Sequence, residues 1–435
     1  MKKYYIAIAI IVLFFDLSNC KKDTNNPISI IKRPESIYLR SLNIGQNKIS
    51  FNWSSIDKHF FREYSILKFY NNNNYGYELI GNSYNWNDTS FIDTVIQNIP
   101  TIRYQITAKL DSGYILTSNI QIYNRPNLFY YSGDPFVINY FEDINRVYFV
   151  DNNKKTILSA NFRTLEMIGK IQDSVECSYI CSADNGSGPE LYVPKSNGIL
   201  SIYNALTLEK KFDFNFNSFN KNYSYDKKIY SSTTDGKGHI ILSVAGFYNV
   251  IIIDRKNLSV SQSFYSFPYN SGMRLIYTPL YNRIFGIDLS SYPSDISVFN
   301  LGSNYLVTNM IHWPYHGEYF VDGQINFISP KEDYFINSNY GNIYNFNSSG
   351  MISFYKQLFS ADDYTSNADG SLIYSCSSQN KNIIVNNYPN LTKVNEIKTM
   401  GNPIKIFKIS DTLYCFSRIY GRYSDIMMEK VFIGN

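Results

Sequence analysis

The chain is short of charge and of catalytic side chains. Only 17% of its 435 residues are charged, against about 25% in soluble domains, and the net charge is only +4. With no clustered basic stripe, no nucleic-acid partner is expected. Histidine occurs four times, at His59, His239, His312 and His316. No Gly-x-Ser-x-Gly, Walker loop, His-Glu-x-x-His or Gly-x-Gly-x-x-Gly stretch is present, so familiar hydrolase, nucleotide and zinc-protease signatures are missing. The Asp-Gly turns in "TTDGKGH" and "NADGS" lack the alternating acidic ligands of a calcium loop. Asp362-Asp363 reads as an exposed turn rather than an acid–base pair. Neither a cofactor nor a catalytic residue is expected from these patterns.

Cysteine is scarce as well. Apart from Cys20, the residues are Cys177, Cys181, Cys376 and Cys415. Cys177-x-x-x-Cys181 lacks zinc-knuckle spacing and has no His pair nearby. These four read as free cysteines buried in strands. The one long apolar run is near the start, Tyr4 to Phe15, and it is too short for a spanning helix, which needs about 20 residues.

That run, after Lys2 and Lys3 and before Leu17-Ser18-Asn19-Cys20, describes a secretory signal. The segment resembles the lipobox of bacterial lipoproteins, with residues 1–19 as signal peptide and Cys20 as the lipidated residue. Asn19 stands where Gly, Ala or Ser is usual, and Asp16 interrupts the apolar stretch. An ordinary signal with a chance cysteine is the alternative. Thiol alkylation explains the need for cysteine, and each buried methylene of the attached chains contributes about 0.8 kcal/mol. Lys21-Lys22-Asp23 resembles the charged export tag of Bacteroidetes surface lipoproteins. The resemblance implies an outer-membrane lipid anchor with display at the cell surface, the periplasmic face being the other possibility. Signal removal takes away Lys2, Lys3 and Asp16, lowering the charge from +4 to +3.

Residues 20–33 read as a polar tether. From 34 to 124 short alternating strands follow, and "KISFNWS" sets Ile49, Phe51 and Trp53 on one face. Turn signals about every ten residues point to a β-sandwich. The span resembles a fibronectin type III module, which implies a buried strand-B tryptophan at Trp53 and a strand-C tyrosine at Tyr64. It also implies a corner tyrosine at Tyr104, its hydroxyl tied back to the chain. Such modules serve as spacers or adhesive units.

Residues 125–435 carry an internal repeat. Strand-like segments begin at 145, 189, 238, 282, 332, 370 and 411. A turn of the form Asn/Asp-x-x-Asn/Thr-Leu recurs at Asn161–Leu165, Asn204–Leu208, Asp254–Leu258 and Asn387–Leu391. Asn347–Met351 keeps its spacing with Gly350 in the fourth place, and Asn300 opens a version one residue longer. Asn or Asp opens the turn by bonding its own backbone, and the Leu returns to the core. Intervals of about 40–50 residues fit four-stranded blades. The whole chain is therefore expected to be all-β, ending in a seven-bladed β-propeller that resembles YVTN-type and quinoprotein-like propellers. "NLFYYSG" at 127–133 precedes the first blade and is expected to supply the outer strand of the last, closing the ring.

One constellation invites a site, "IHWPYHGEYF" at 311–320, in the connection between blades four and five. His312, Trp313, Tyr315, His316 and Glu318 could stack on a sugar and bond its hydroxyls. Loop packing and metal ligation are open to the same residues, although Pro314 opposes helical alignment of the two histidines. The expected function is a non-enzymatic binding or scaffold module presenting a propeller face to a glycan, peptide or protein. A propeller enzyme of lactonase or lyase type is the alternative.

Overall fold

The computed structural model describes residues 36–433 except 46–47, 71–76, 95–100, 125–128, 217–227, 246–248, 266–271, 290–293, 314–320, 322–325, 338–339, 351, 400 and 420–424. The chain divides into two compact units near Tyr123 and Asn124. Among the described residues no helix is long and apolar enough to cross a membrane.

The first unit has two sheets. One pairs Asn43–Ile44, Ile49–Asn52 and Ser90–Asp93; the other pairs Tyr77–Ser83, Phe61–Tyr70, Thr101–Leu110, Ile115–Thr117 and Gln121–Asn124. They face each other through Phe51, whose ring lies 4.8 Å from Tyr104. Trp53 packs edge-on to Tyr64 at 5.5 Å. The period-two face holds, with Ile49, Phe51 and Trp53 all buried. The Tyr104 hydroxyl donates to Asp93 Oδ2 at 2.7 Å, and Lys68 Nζ reaches the same oxygen at 2.7 Å. Burial first, then that acceptor, pushes the phenol far above its usual range. Tyr104 thus ties back through a carboxylate, in a buried triad with Lys68.

The second unit is a seven-bladed β-propeller. Its described residues form seven four-stranded antiparallel sheets, and each of the seven repeat segments is the second strand of one blade: Arg146–Asp151, Pro189–Pro194, His239–Val244, Arg283–Asp288, Tyr334–Asn337, Leu372–Cys376 and Thr412–Arg418. The first strands of successive blades touch one another, so they line the axis. The fourth strands are mostly exposed, as in Lys210–Asn215 and Lys393–Lys398.

Seven apolar clusters fill the seven gaps between blades. Alternate residues of one strand serve opposite neighbours. Val147 and Phe149 pack toward blade seven, while Tyr148 and Val150 pack toward blade two. Both faces being covered, the strand reads as a continuous apolar run without alternation.

Closure follows the expected route. Phe129–Ser132 pairs with Asp425–Phe432 as the outer strand of blade seven, Phe129 opposite Met428 and Ser132 opposite Asp425. Phe129 stacks on Phe149 at 5.1 Å, and Phe149 meets Phe416 edge-on at 5.3 Å.

The recurring turns contain a feature that spacing does not reveal. In five copies the Asn or Asp side chain accepts one or two backbone N–H groups, as from Arg163 and Thr164 to Asn161 Oδ1. The Leu N–H closes on the Asn carbonyl at 2.8–2.9 Å in three copies. The Leu itself is left-handed, with φ of 62° at Leu165, 64° at Leu208, 52° at Leu258 and 62° at Leu391. That conformation costs about 1–2 kcal/mol. Partial burial against the preceding blade offsets it, as for Leu208 on the blade one–two cluster and Leu258 on the blade two–three cluster. Burying a leucine fully contributes about 1.5–3 kcal/mol. In the variant copy Gly350 takes φ +87°, a conformation open to glycine without strain.

Two charged pins reinforce this same turn face. Glu190 is fully buried and accepts both arms of Arg255 at 2.7 Å, Lys211 Nζ at 3.0 Å and the Tyr192 hydroxyl at 2.8 Å. Arg283 is equally buried. It donates to Glu332 at 3.2 Å and to the Asn347 carbonyl at 3.1 Å, linking blades four and five. Removing one partner leaves a buried charge unpaired, which costs about 3–5 kcal/mol.

Arg283→Met alone should lose stability of that order in urea unfolding, and Arg283→Met with Glu332→Leu should regain most of it. Equal losses in both variants would show that the pair does not act as a pin. Acid should act through Glu190. Burial opposes its ionisation, but the bonds from Arg255, Lys211 and Tyr192 prevail and hold its carboxyl below the usual 4.5. A depressed value stabilises above pH 4.5 and is lost as pH falls through the folded value. Glu190→Gln should be less stable at neutral pH and show a shallower loss of melting temperature in acid.

Candidate functional site

In antiparallel blades the first strands begin on the face that also carries the turns between second and third strands. A cleft opens there at the ring's axis. Its larger lobe, about 300 Å³, is lined by Phe136, Asn152, Glu176, Cys177, Ser178, Tyr179, Ser196, Lys228, Tyr230 and Leu289. Its smaller lobe, about 130 Å³, is lined by Pro135, Phe136, Val137, Ile138, Tyr179, Arg274, Asp362, Ile404 and Lys405. Phe136 and Tyr179 belong to both lobes. Blades one, two, three, four, six and seven all contribute, which makes this the ring's mouth.

Local bonding explains why these side chains are held in place. The Phe136 N–H donates to the Val150 carbonyl at 2.7 Å, yet the ring is 51% exposed. Asn152 clamps the segment before blade two, accepting from Cys177 N and donating to Cys177 O, both at 2.9 Å. Tyr179 pairs in parallel with Ser231 of blade three, which sets its ring 5.0 Å from Phe136. Arg274 lies over Tyr179 at 4.8 Å and Lys228 over Tyr230 at 5.1 Å. Cation–π contacts of this kind are worth about 0.5–1 kcal/mol where exposed. Gly272 permits the Tyr230 position, since a Cβ there would fall 2.1 Å from the ring.

Asp362 and Asp363 are engaged. Asp363 is 1% exposed and opens the first strand of blade six, so the exposed turn expected for Asp362-Asp363 is corrected. The bend before the strand carries Asp363 into the ring wall, where Lys405 supplies the counter-charge the sequence could not pair with it. Asp363 accepts Lys405 Nζ at 2.6 Å on Oδ1 and Ile406 N at 2.9 Å on Oδ2. Burial raises its pKa while Lys405 opposes the rise. Two donors, one on each oxygen, are the environment of a carboxylate. Asp362 accepts the Ser378 N–H.

Among the described residues the lobes contain no activated nucleophile. Burial pushes the Cys177 thiol up to about 12, and Cys181 beside it up to about 12. All four described cysteines are free, and Cys177, Cys376 and Cys415 are buried. No group of three or more His, Cys, Asp or Glu able to hold a metal occurs among the described residues.

Of the sequence-derived set, only His312 and Trp313 are among the described residues. His312 and Trp313 end the outer strand of blade four, Val307–Trp313, and line neither lobe. His312 Nε2 lies 3.8 Å from Asp295 and Nδ1 3.4 Å from Ser297. Trp313 packs edge-on to Tyr344 of blade five at 5.6 Å. Tyr315, His316 and Glu318 lie outside the described residues, as does Cys20. His59 pairs with Asp57 and His239 with Asp235. Sequence reasoning missed Phe136, Tyr179, Tyr230 and Arg274. Their one shared signal is an aromatic or basic residue at, or just before, the start of a blade.

No family model and no curated protein matches the chain. Among solved structures it is similar to Kuenenia stuttgartiensis hydrazine synthase, at 12% identity and TM-score 0.50 over 69% of this chain and 96% of that one. The dihydro-heme d1 dehydrogenase NirN gives 11% identity and TM-score 0.48 over 70% and 68%. The WD40 repeats of RRP9 give 10% and 0.49 over 68% and 94%. At such identity, the likeness to hydrazine synthase concerns the fold alone.

Proposed function

We propose that the protein is a lipid-anchored, non-enzymatic binding module of the bacterial envelope that takes its ligand at the propeller's mouth. The observation that carries this reading is the cleft. First strands from six blades converge on it, and a large aromatic ring is left half-open there on a fixed backbone. Exposed aromatic surface at a concave site is the usual mark of ligand binding. Against chemistry, Asp362 and Asp363 are bonded, the nearest thiols are held neutral and no described histidine lines either lobe. The partner is a glycan, a peptide or a protein.

The first unit, read as a fibronectin type III-like spacer, and the tether before it would present the propeller away from the bilayer. Cys20 is the attachment point, with display at the outer membrane and the cell surface in view of Lys21-Lys22-Asp23.

Cys20→Ala should abolish labelling by radioactive fatty acid and release the protein from the membrane fraction; continued sedimentation with membranes sinks the anchor. For the mouth, ligands from glycan and peptide libraries should bind wild type and Trp313→Ala alike and fail on Phe136→Ala. A hit that is cleaved or ring-opened, read by mass spectrometry, would move the protein to the lactonase- or lyase-type alternative.

A further inference from the structure

Resting on the mouth as the ligand site, we propose that its ligand is a neutral saccharide of about one or two sugar rings, laid against Phe136. The charge of the cleft is the first ground. Its ionisable walls carry three cations, Lys228, Arg274 and Lys405, and two carboxylates, Glu176 and Asp362, and Lys405 is already paired at 2.6 Å with the buried Asp363. With Lys405 neutralised in that way, two cations face two carboxylates, which leaves little net field to draw in an anion or a cation. A polyanion such as nucleic acid, whose affinity comes from phosphate neutralisation, would find nothing to neutralise it.

Shape is the second ground. Phe136 is tilted 48° against Tyr179, and Arg274 and Lys228 already lie over Tyr179 and Tyr230. Phe136 is therefore the aromatic wall with surface to offer, and it is shared by both lobes. A pyranose presents C–H faces to such a ring and a rim of hydroxyls around them. Each hydroxyl donates and accepts, so it can bridge a carboxylate and a cation that stand near each other. A neutral polyol uses acid–base pairs without separating them, whereas a charged ligand has to displace one partner from the other. The larger lobe, about 300 Å³, is at the lower end of small-ligand sites, roughly 300–1,000 Å³, which limits the ligand to a short unit or a chain end.

The test uses the detergent-solubilised full chain on an array of neutral and acidic oligosaccharides and peptides, with hits followed by calorimetry at low and high salt. Neutral oligosaccharides should bind with an affinity that salt leaves unchanged. Phe136→Ala should weaken binding about tenfold or more, and Phe136→Trp should retain it. Gly272→Ala, which forces the Tyr230 ring to move, should weaken it too, with the circular dichroism of each variant checked against wild type. Binding confined to acidic saccharides and collapsing with salt, binding of peptides alone, or no binding overturns the neutral-saccharide assignment. In the first two cases the mouth reading survives if Phe136→Ala still removes the ligand. A neutral saccharide that binds Phe136→Ala and Gly272→Ala as well as wild type overturns the mouth itself.

Discussion

Everything in the larger unit depends on one non-local pairing, that of Phe129–Ser132 with Asp425–Phe432. Six blades form from consecutive strands, whose loop-closure cost is small. The seventh borrows its outer strand from nearly three hundred residues away, as the Tyr130 hydroxyl on Asp425 shows. The compensation is local and dense. Phe129, Phe149, Phe162, Phe407, Tyr414 and Phe416 crowd into one cluster, and Tyr131 donates to Asp151 of blade one at 2.5 Å. Among the described residues no other gap between blades has as many buried rings. The aromatic excess of the sequence is therefore partly a closure device.

The propeller was legible because its second strands are buried on both faces and its turns repeat. A run such as "IIL" at 240–242 must be apolar throughout when residues 240 and 242 serve one gap and 241 the next. The Asn-opened turn is legible for a similar reason. The backbone needs an acceptor at one place, and few side chains supply it. What could not be read was the left-handed leucine. Its φ is unfavourable taken alone, and only packing against the preceding blade, invisible in a single strand, makes it tolerable.

The candidate site was much less legible. "IHWPYHGEYF" drew attention because its unusual residues are adjacent in sequence, and the part of it that is described lies on an outer strand. The residues that do converge, Phe136, Tyr179, Tyr230 and Arg274, are separated by 43, 51 and 44 positions. First strands are short and irregular, so no period announces them. Asp363 shows the same limit, since an acidic pair before a strand looks exposed until Lys405 is brought to it by the next blade. In the first unit, Lys68 was hidden likewise. A lysine amid "SILKFY" reads as surface, and only Asp93 and Tyr104 across the core explain its burial.

These two degrees of legibility have one cause. Strand order places the repeating turns, the left-handed leucines, the Glu190 pin and the Arg283 pin on one face of the ring, and the mouth on the other. Constraints that recur in every blade must recur in the sequence, so the pinned face is written there repeatedly. The opposite turns carry no such repeat: their links, such as Lys405 on Asp363 and Asn152 on Cys177, differ from one blade to the next. Phe136 is kept half-exposed among them, with no neighbouring blade built to cover it. A binding surface on such a ring is expected on its non-repeating side, where residues answer to a ligand rather than to the next blade.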